Sequence, residues 1–211
     1  MSNLYLKVLP AAQRSLLEKL VGNSSFLAEG GYYLAGGTAL ALQLGHRQSL
    51  DFDFFSTQKA LAEQTQERLR SFSAVILRDT DQDTLHVEAD GIKVSFIGGY
   101  RYKLVEPALD YNGLKLAGLL DIGLMKLLAL THRATLRDYL DMAALVRGPV
   151  QLQRLVEASR EKYGPETNPM LFLRALVTWS DIDEETPVML DSSLKKSWKG
   201  ILQEAVKSVA G

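Results

Sequence analysis

Between Pro10 and Val21 the apolar positions recur at helical spacing, with Leu16, Leu17, Leu20 and Val21 on one side, which predicts an amphipathic helix. Gly30-Gly31 interrupts the chain, and Tyr32 to Ala35 reads as a short apolar strand ended by Gly36-Gly37. Thr38 to Leu44 predicts a helix closed by Gly45, and Leu50 to Phe55 alternates like a half-buried strand. Lys59 to Phe72 has helical spacing again, with Leu61, Leu69 and Phe72 inward. Three strands are expected next, over Ala74 to Leu77, Thr84 to Glu88 and Gly91 to Ile97. Asp81-Gln82-Asp83 and Asp90-Gly91 supply their turns, the latter a strong hairpin signal.

Leu114 to Leu116 predicts one more short strand. From Asp121 onward the pattern is helical: 121–132, 135–147, 151–163, 168–179 and 192–209. Asp121 is the expected N-cap of the first of these, and Gly148-Pro149 and Gly164-Pro165 are breaks. The expected fold class is α+β, with a mixed α/β part over residues 1–117 and a helical part over 118–211. The boundary falls between Gly113 and Gly118.

Composition narrows the function classes. A chain of 211 residues can bury a substantial core, and 46% hydrophobic with 23% charged residues is ordinary for a globular protein. The formal charge of −1 argues against coating nucleic acid by bulk positive charge, while a local basic patch stays open. There is no cysteine, which removes disulfides, thiolate metal sites and cysteine nucleophiles and agrees with a cytoplasmic protein. No apolar run approaches the ~20 residues of a membrane span, and the first residues do not read as a secretory signal.

Residues 31–56 carry the candidate chemistry. In a strand, positions i and i+2 share a face, so Asp51 and Asp53 are expected to point together, away from Phe52 and Phe54. Two adjacent carboxylates repel unless a cation lies between them, and Mg²⁺ is suited to one or two carboxylates plus phosphate oxygens and water. Gly36-Gly37-Thr38 precedes the predicted helix, where free N–H groups favour an anion and the Thr38 hydroxyl can add a hydrogen bond. Each feature alone is commonplace. Together they suggest a phosphate cradle beside a metal pair.

An apolar residue, Gly36-Gly37, a 13-residue gap from 38 to 50, then Asp51-Phe52-Asp53-Phe54 resembles the signature of the polymerase β-type nucleotidyltransferase superfamily. Within it, Leu34 to Leu40 and Gly45 to Phe55 resemble the AbiEii/AbiGii toxin-like nucleotidyltransferases, and the similarity continues through Gly91–Phe96 and Asp121–Leu145. The resemblance implies a nucleotidyltransferase-fold mixed sheet flanked by helices and followed by a C-terminal helical bundle. It also implies transfer of a nucleotide from a nucleoside triphosphate to an acceptor, with Mg²⁺ or Mn²⁺. In toxin members the acceptor is the tRNA 3′ end, and an antitoxin accompanies them.

Lys126 lies in a helix apolar over most of its surface, so it needs a partner: triphosphate oxygens, the metal-site carboxylates, or solvent reached by snorkelling. The resemblance places Lys126 and Asp138 in the active site with Asp51 and Asp53, Asp138 as base or as a support for Lys126. Gly36, Gly37, Thr38, Arg47, Ser49 and Lys126 are the candidate nucleotide-binding residues. Asp141 is a second candidate for the duties of Asp138, its commoner role being a salt bridge to Arg137 or Arg133. Arg133 is an extra candidate for phosphate or acceptor RNA.

One position departs from the pattern. Many nucleotidyltransferases carry a third metal-binding carboxylate where this chain has Ser95. Either two aspartates suffice, or Glu88 fills in, or turnover is impaired. His46 and His86 lack the company of a histidine or cysteine cluster and are not expected to bind metal. The expected function is transfer of a nucleotide to a hydroxyl, with RNA as leading acceptor. Modification of a protein hydroxyl and a nucleotide-binding regulator without turnover are the alternatives.

Overall fold

The computed structural model describes residues 4–59, 62–133, 135–179, 182 and 186–210. After a 3₁₀ turn at Leu6–Val8 come α1 (Ala11–Gly22), α2 (Ser25–Glu29), β1 (Tyr33–Ala35), α3 (Gly36–Leu44) and β2 (Phe52–Phe55). There follow α4 (Ala62–Arg70), β3 (Val75–Thr80), β4 (Thr84–Ala89), β5 (Ile92–Ile97), β6 (Leu109–Tyr111) and β7 (Leu114–Leu116). The remainder is helical: α5 (Leu119–Leu130), α6 (Leu136–Arg147), α7 (Leu152–Tyr163), α8 (Pro169–Val177) and α9 (Ser192–Ala210). The seven strands form one mixed sheet in the order β3-β4-β5-β2-β1-β7-β6. The β2–β5 and β1–β7 pairs are parallel, and the other pairs are antiparallel.

The alternation along β2 does what the pattern promises. Phe52 and Phe54 are fully buried, and Phe54 stacks on Phe96 of β5 with ring centroids 5.1 Å apart. Asp53 takes the opposite face, opposite Ala35 of β1 and Ser95 of β5. A single apolar cluster runs from Val8 through the sheet to Leu202 on α9, so the helices after position 117 share the core of the sheet. Among the described residues, no helix is long and apolar enough to cross a membrane.

Several boundaries differ from expectation for local reasons. Gly36 and Gly37 form the first turn of α3 instead of preceding it, and Asp51 sits just before β2 instead of inside it. β6 was not expected: Asp110 Oδ1 accepts from the Gly113 amide to close its turn to β7. The short α2 was missed as well. Asp121 does not cap α5, whose N-cap is Gly118. Instead it lies fully buried in the first turn, 2.6 Å from Lys162 Nζ of α7, and accepts from the amides of Val105 and Glu106. An ionised carboxylate in so apolar a helix survives burial only with such donors around it.

Candidate active site

The turn from β1 into α3 brings the glycines against the aspartates. Gly36 has φ +67°, in the left-handed region that glycine enters without penalty. A Cβ there would lie 2.9 Å from Asp53 Oδ2, and one at Gly37 would collide with Arg47 Nη2. The backbone at the head of α3 therefore lies directly against the Asp53 carboxylate.

Hydroxyls fix the other aspartate. The Thr38 hydroxyl donates to the backbone carbonyl of Asp51, and its oxygen lies 2.7 Å from the Ser49 hydroxyl. Thr38 has one proton and spends it on Asp51, so Ser49 is the donor of that second bond. Without a ligand the Thr38 hydroxyl, a candidate phosphate donor, is engaged by Asp51. It pins the loop that presents Asp51, and Ser49 supports it.

The helices supply the charges. Lys126 on α5 is 6% exposed, and its Nζ lies 2.7 Å from Asp138 Oδ1 and 2.6 Å from Asp141 Oδ2 on α6. It does not snorkel. Asp141 is fully buried and gathers further donors. Arg47 binds it through Nε at 2.6 Å and Nη2 at 2.8 Å, and His46 Nε2 lies 2.7 Å from Oδ1. Asp141 thus pairs with Arg47 and Lys126, and Arg133, one of the expected partners, lies against Asp138. Arg47, with Nη1 also donating to the Gln48 carbonyl, is buried, not an exposed arm. Asp138 accepts from the Thr135 hydroxyl at 2.8 Å and lies 3.3 Å from the Nε of exposed Arg133.

These contacts set the protonation states. Burial alone would push Asp141 up, but the charges of Lys126 and Arg47 hold it well below the usual carboxylate range. Asp138 is likewise lowered against its burial, by Lys126 and the Thr135 hydroxyl. Burial works against the charge of Lys126, and Asp141 and Asp138 outweigh it and raise its pKa. Asp53 behaves differently. Burial raises its pKa, Ser95 offsets part of that, the Asp51 charge adds to it, and Lys126 and Arg133 oppose it. An aspartate left half-buried, beside a second carboxylate and raised in pKa, is one that a cation would stabilise.

The structure thus brings Gly36, Gly37, Thr38, Arg47, Ser49, Asp51, Asp53, Ser95, Lys126, Arg133, Asp138 and Asp141 together around the head of α3. Glu88 is not part of it. Its carboxylate is 2.6 Å from Arg78 on β3, and its register neighbour on β5 is Lys93, whereas Asp53 is opposite Ser95. Among the described residues, no group of three or more acidic or histidine side chains forms a ready metal cage. Two hard carboxylates remain, which suits a Mg²⁺ ion completing its shell with phosphate oxygens and water. The residue that sequence reasoning undervalued is His46. Its only signal was a place beside Arg47 in the same loop.

A mixed sheet with a glycine turn onto an aspartate pair, backed by a buried lysine from the helical half, is the nucleotidyltransferase fold. A family model described as "Nucleotidyl transferase AbiEii toxin, Type IV TA system" matches residues 20–209. The chain therefore belongs to the AbiEii nucleotidyltransferase toxin family and is a nucleotidyltransferase. It is 35% identical over 185 residues to uncharacterized protein aq_aa25 of Aquifex aeolicus, covering 85% of this chain and 87% of that one. Its fold is similar to that of MenT4, nucleotidyltransferase toxin Rv2826c from Mycobacterium tuberculosis. The TM-score there is 0.59 at 15% identity, over 93% of this chain and 83% of that one. A likeness to JHP933 from Helicobacter pylori has a TM-score of 0.48 at 18% identity, over 93% and 91%.

Proposed function

We propose that this chain moves a nucleoside monophosphate from a nucleoside triphosphate to a hydroxyl of RNA, the tRNA 3′ end being the leading acceptor. The observation that carries this reading is the approach of Gly36 to Asp53 Oδ2 at the head of α3, with Lys126 acting on the same carboxylate. Free amides at a helix N-terminus take phosphate oxygens, and the dipole favours their charge. Gly36 and Gly37 would receive the β- and γ-phosphates there. A Mg²⁺ or Mn²⁺ ion held by Asp51 and Asp53 would activate the acceptor hydroxyl and offset charge on the departing pyrophosphate.

Lys126 has three N–H donors, donates one to Asp138 and forms an ion pair with Asp141, and would turn a remaining N–H to an oxygen of the α-phosphate. As the acceptor hydroxyl gives up its proton to solvent and its oxygen bonds to the α-phosphorus, the bond to the β-phosphate oxygen breaks, pyrophosphate leaves, and charge grows on the phosphoryl oxygens. A fixed ammonium stabilises that charge without reorganising. Asp138, held ionised by Lys126, Thr135 and Arg133, is a weak base and serves better as the support of Lys126. Exposed Arg133 is the proposed contact to acceptor or triphosphate, and Arg47 acts through Asp141. We infer that an antitoxin protein is a partner, from the type IV toxin–antitoxin description of the family.

The test is incubation with each α-labelled triphosphate and Mg²⁺, once with total RNA and once with a protein extract. Label on RNA, concentrated in tRNA, is expected. Label on protein alone would replace the acceptor with a protein hydroxyl.

A further inference from the structure

Ser95 and His86 form a row with Asp53 that the proposed reaction does not use. The register places Asp53 of β2 opposite Ser95 of β5, and Ser95 opposite His86 of β4. All three side chains leave the same face of the sheet, because Phe52, Phe54, Val94, Phe96, Leu85 and Val87 turn to the buried side. His86 Nδ1 lies 3.1 Å from Ser95 Oγ, and the Ser95 hydroxyl counters part of the burial effect on Asp53.

Proton counting gives this row a direction. An ionised carboxylate only accepts, and serine has a single O–H. If that proton goes to Asp53, Ser95 Oγ must accept from His86, so His86 Nδ1 carries its proton and Nε2 does not. The row then reads His86 Nδ1–H to Ser95 Oγ, with the Ser95 O–H turned to its register neighbour Asp53 on the same face. A carboxylate at position 95 would add a further negative charge to Asp51 and Asp53, whereas the hydroxyl gives the pair a donor.

We propose that Ser95 and His86 are positioning residues that hold Asp53 oriented to bind a divalent cation, a donor row in place of a further anionic ligand. The role rests on the nucleotidyl-transfer reading, because the cation it serves belongs to that reaction. Partners of a metal-ligating carboxylate commonly change metal affinity by about 10–100-fold when removed.

Two measurements on the full chain test it. Imidazole ¹⁵N shifts of the metal-free protein at neutral pH should show His86 as the Nδ1–H tautomer, and Ser95→Ala should return it to Nε2–H. Mn²⁺ titration followed by electron paramagnetic resonance should show affinity falling about tenfold in Ser95→Ala and in His86→Phe. Ser95→Thr, which keeps the hydroxyl, and His86→Asn, which keeps a donor near Nδ1, should recover most of it. Unchanged circular dichroism and melting temperature show that the fold is not the cause. The Nε2–H tautomer in the unaltered chain, or equal Mn²⁺ affinity in Ser95→Ala, overturns the row and leaves the transfer reaction standing. Mn²⁺ affinity that Asp53→Asn does not weaken overturns the metal site itself, and the row's role with it.

Discussion

Asp141 is the residue on which the site's charges balance. It is fully buried and shared by Arg47, His46 and Lys126, so its charge is what makes two buried cations tolerable. Removing one partner of such a cluster leaves the others uncompensated. Asp141→Asn is therefore expected to cost about 3–5 kcal/mol in urea unfolding. The same carboxylates govern acid stability. Asp141 and Asp138 have folded pKa values below their unfolded ones, so below about pH 4 the unfolded chain binds more protons. Their stabilisation is complete above the unfolded value and is lost as pH falls through the folded values. Unfolding midpoints measured from pH 6 to pH 3 should drop with acid, and in Asp141→Asn that drop should be shallower. Gly36→Ala tests the turn: φ +67° and the nearness of Asp53 Oδ2 predict a loss of about 1–3 kcal/mol and displacement of Asp53. None of the partners of Asp141 except Lys126 lies near it in sequence. Arg47 and His46 are 94 and 95 positions away, so helical spacing pointed instead to Arg133 and Arg137.

Elements with a strong period were readable, and those defined by one or two contacts were not. β2 and β5 alternate cleanly because one face meets the core, which also placed Ser95 opposite Asp53 in the register. β6 has three residues, and its turn depends on the Asp110 carboxylate and Gly113, a signal too short to weigh against the loop around it. The start of α5 was misplaced because an aspartate ahead of an apolar run usually caps, whereas Asp121 is drawn inward by Lys162. Lys162 itself falls on the buried face of α7 with Leu155 and Ser159, which is the sequence clue that it has a partner. α6 has Thr135 as its N-cap, whose hydroxyl both caps the Asp138 amide and donates to the Asp138 carboxylate. Thr135→Ala should lower the melting temperature by an amount equivalent to about 1 kcal/mol. Transfer activity should fall more than that stability loss explains, because Asp138 then holds Lys126 with one donor fewer.

At the scale of the molecule, the site is assembled from both halves of the chain. The glycines and Asp51–Asp53 come from the β1–α3–β2 unit, and Lys126, Asp138 and Asp141 come from α5 and α6. A third stretch fastens them: Gln48 N donates to the Val188 carbonyl, Leu190 N donates to the His46 carbonyl, and Arg47 and Met189 form a bridge. The junction of the glycine turn with the aspartates was legible because glycine turns and paired aspartates are local signals. The fastening between residues 46–48 and 188–190 was not, because backbone pairing at that separation leaves no mark on either segment. The claim on which the account depends is nucleotidyl transfer at Asp53. The most direct measurement compares α- and γ-labelled triphosphates with RNA and Mg²⁺, using the unaltered chain and Asp53→Asn. The expected result is α-label on RNA, no γ-label, and loss of transfer by at least about a hundredfold in Asp53→Asn. Transfer of the γ-label, or α-transfer that survives Asp53→Asn, would contradict it.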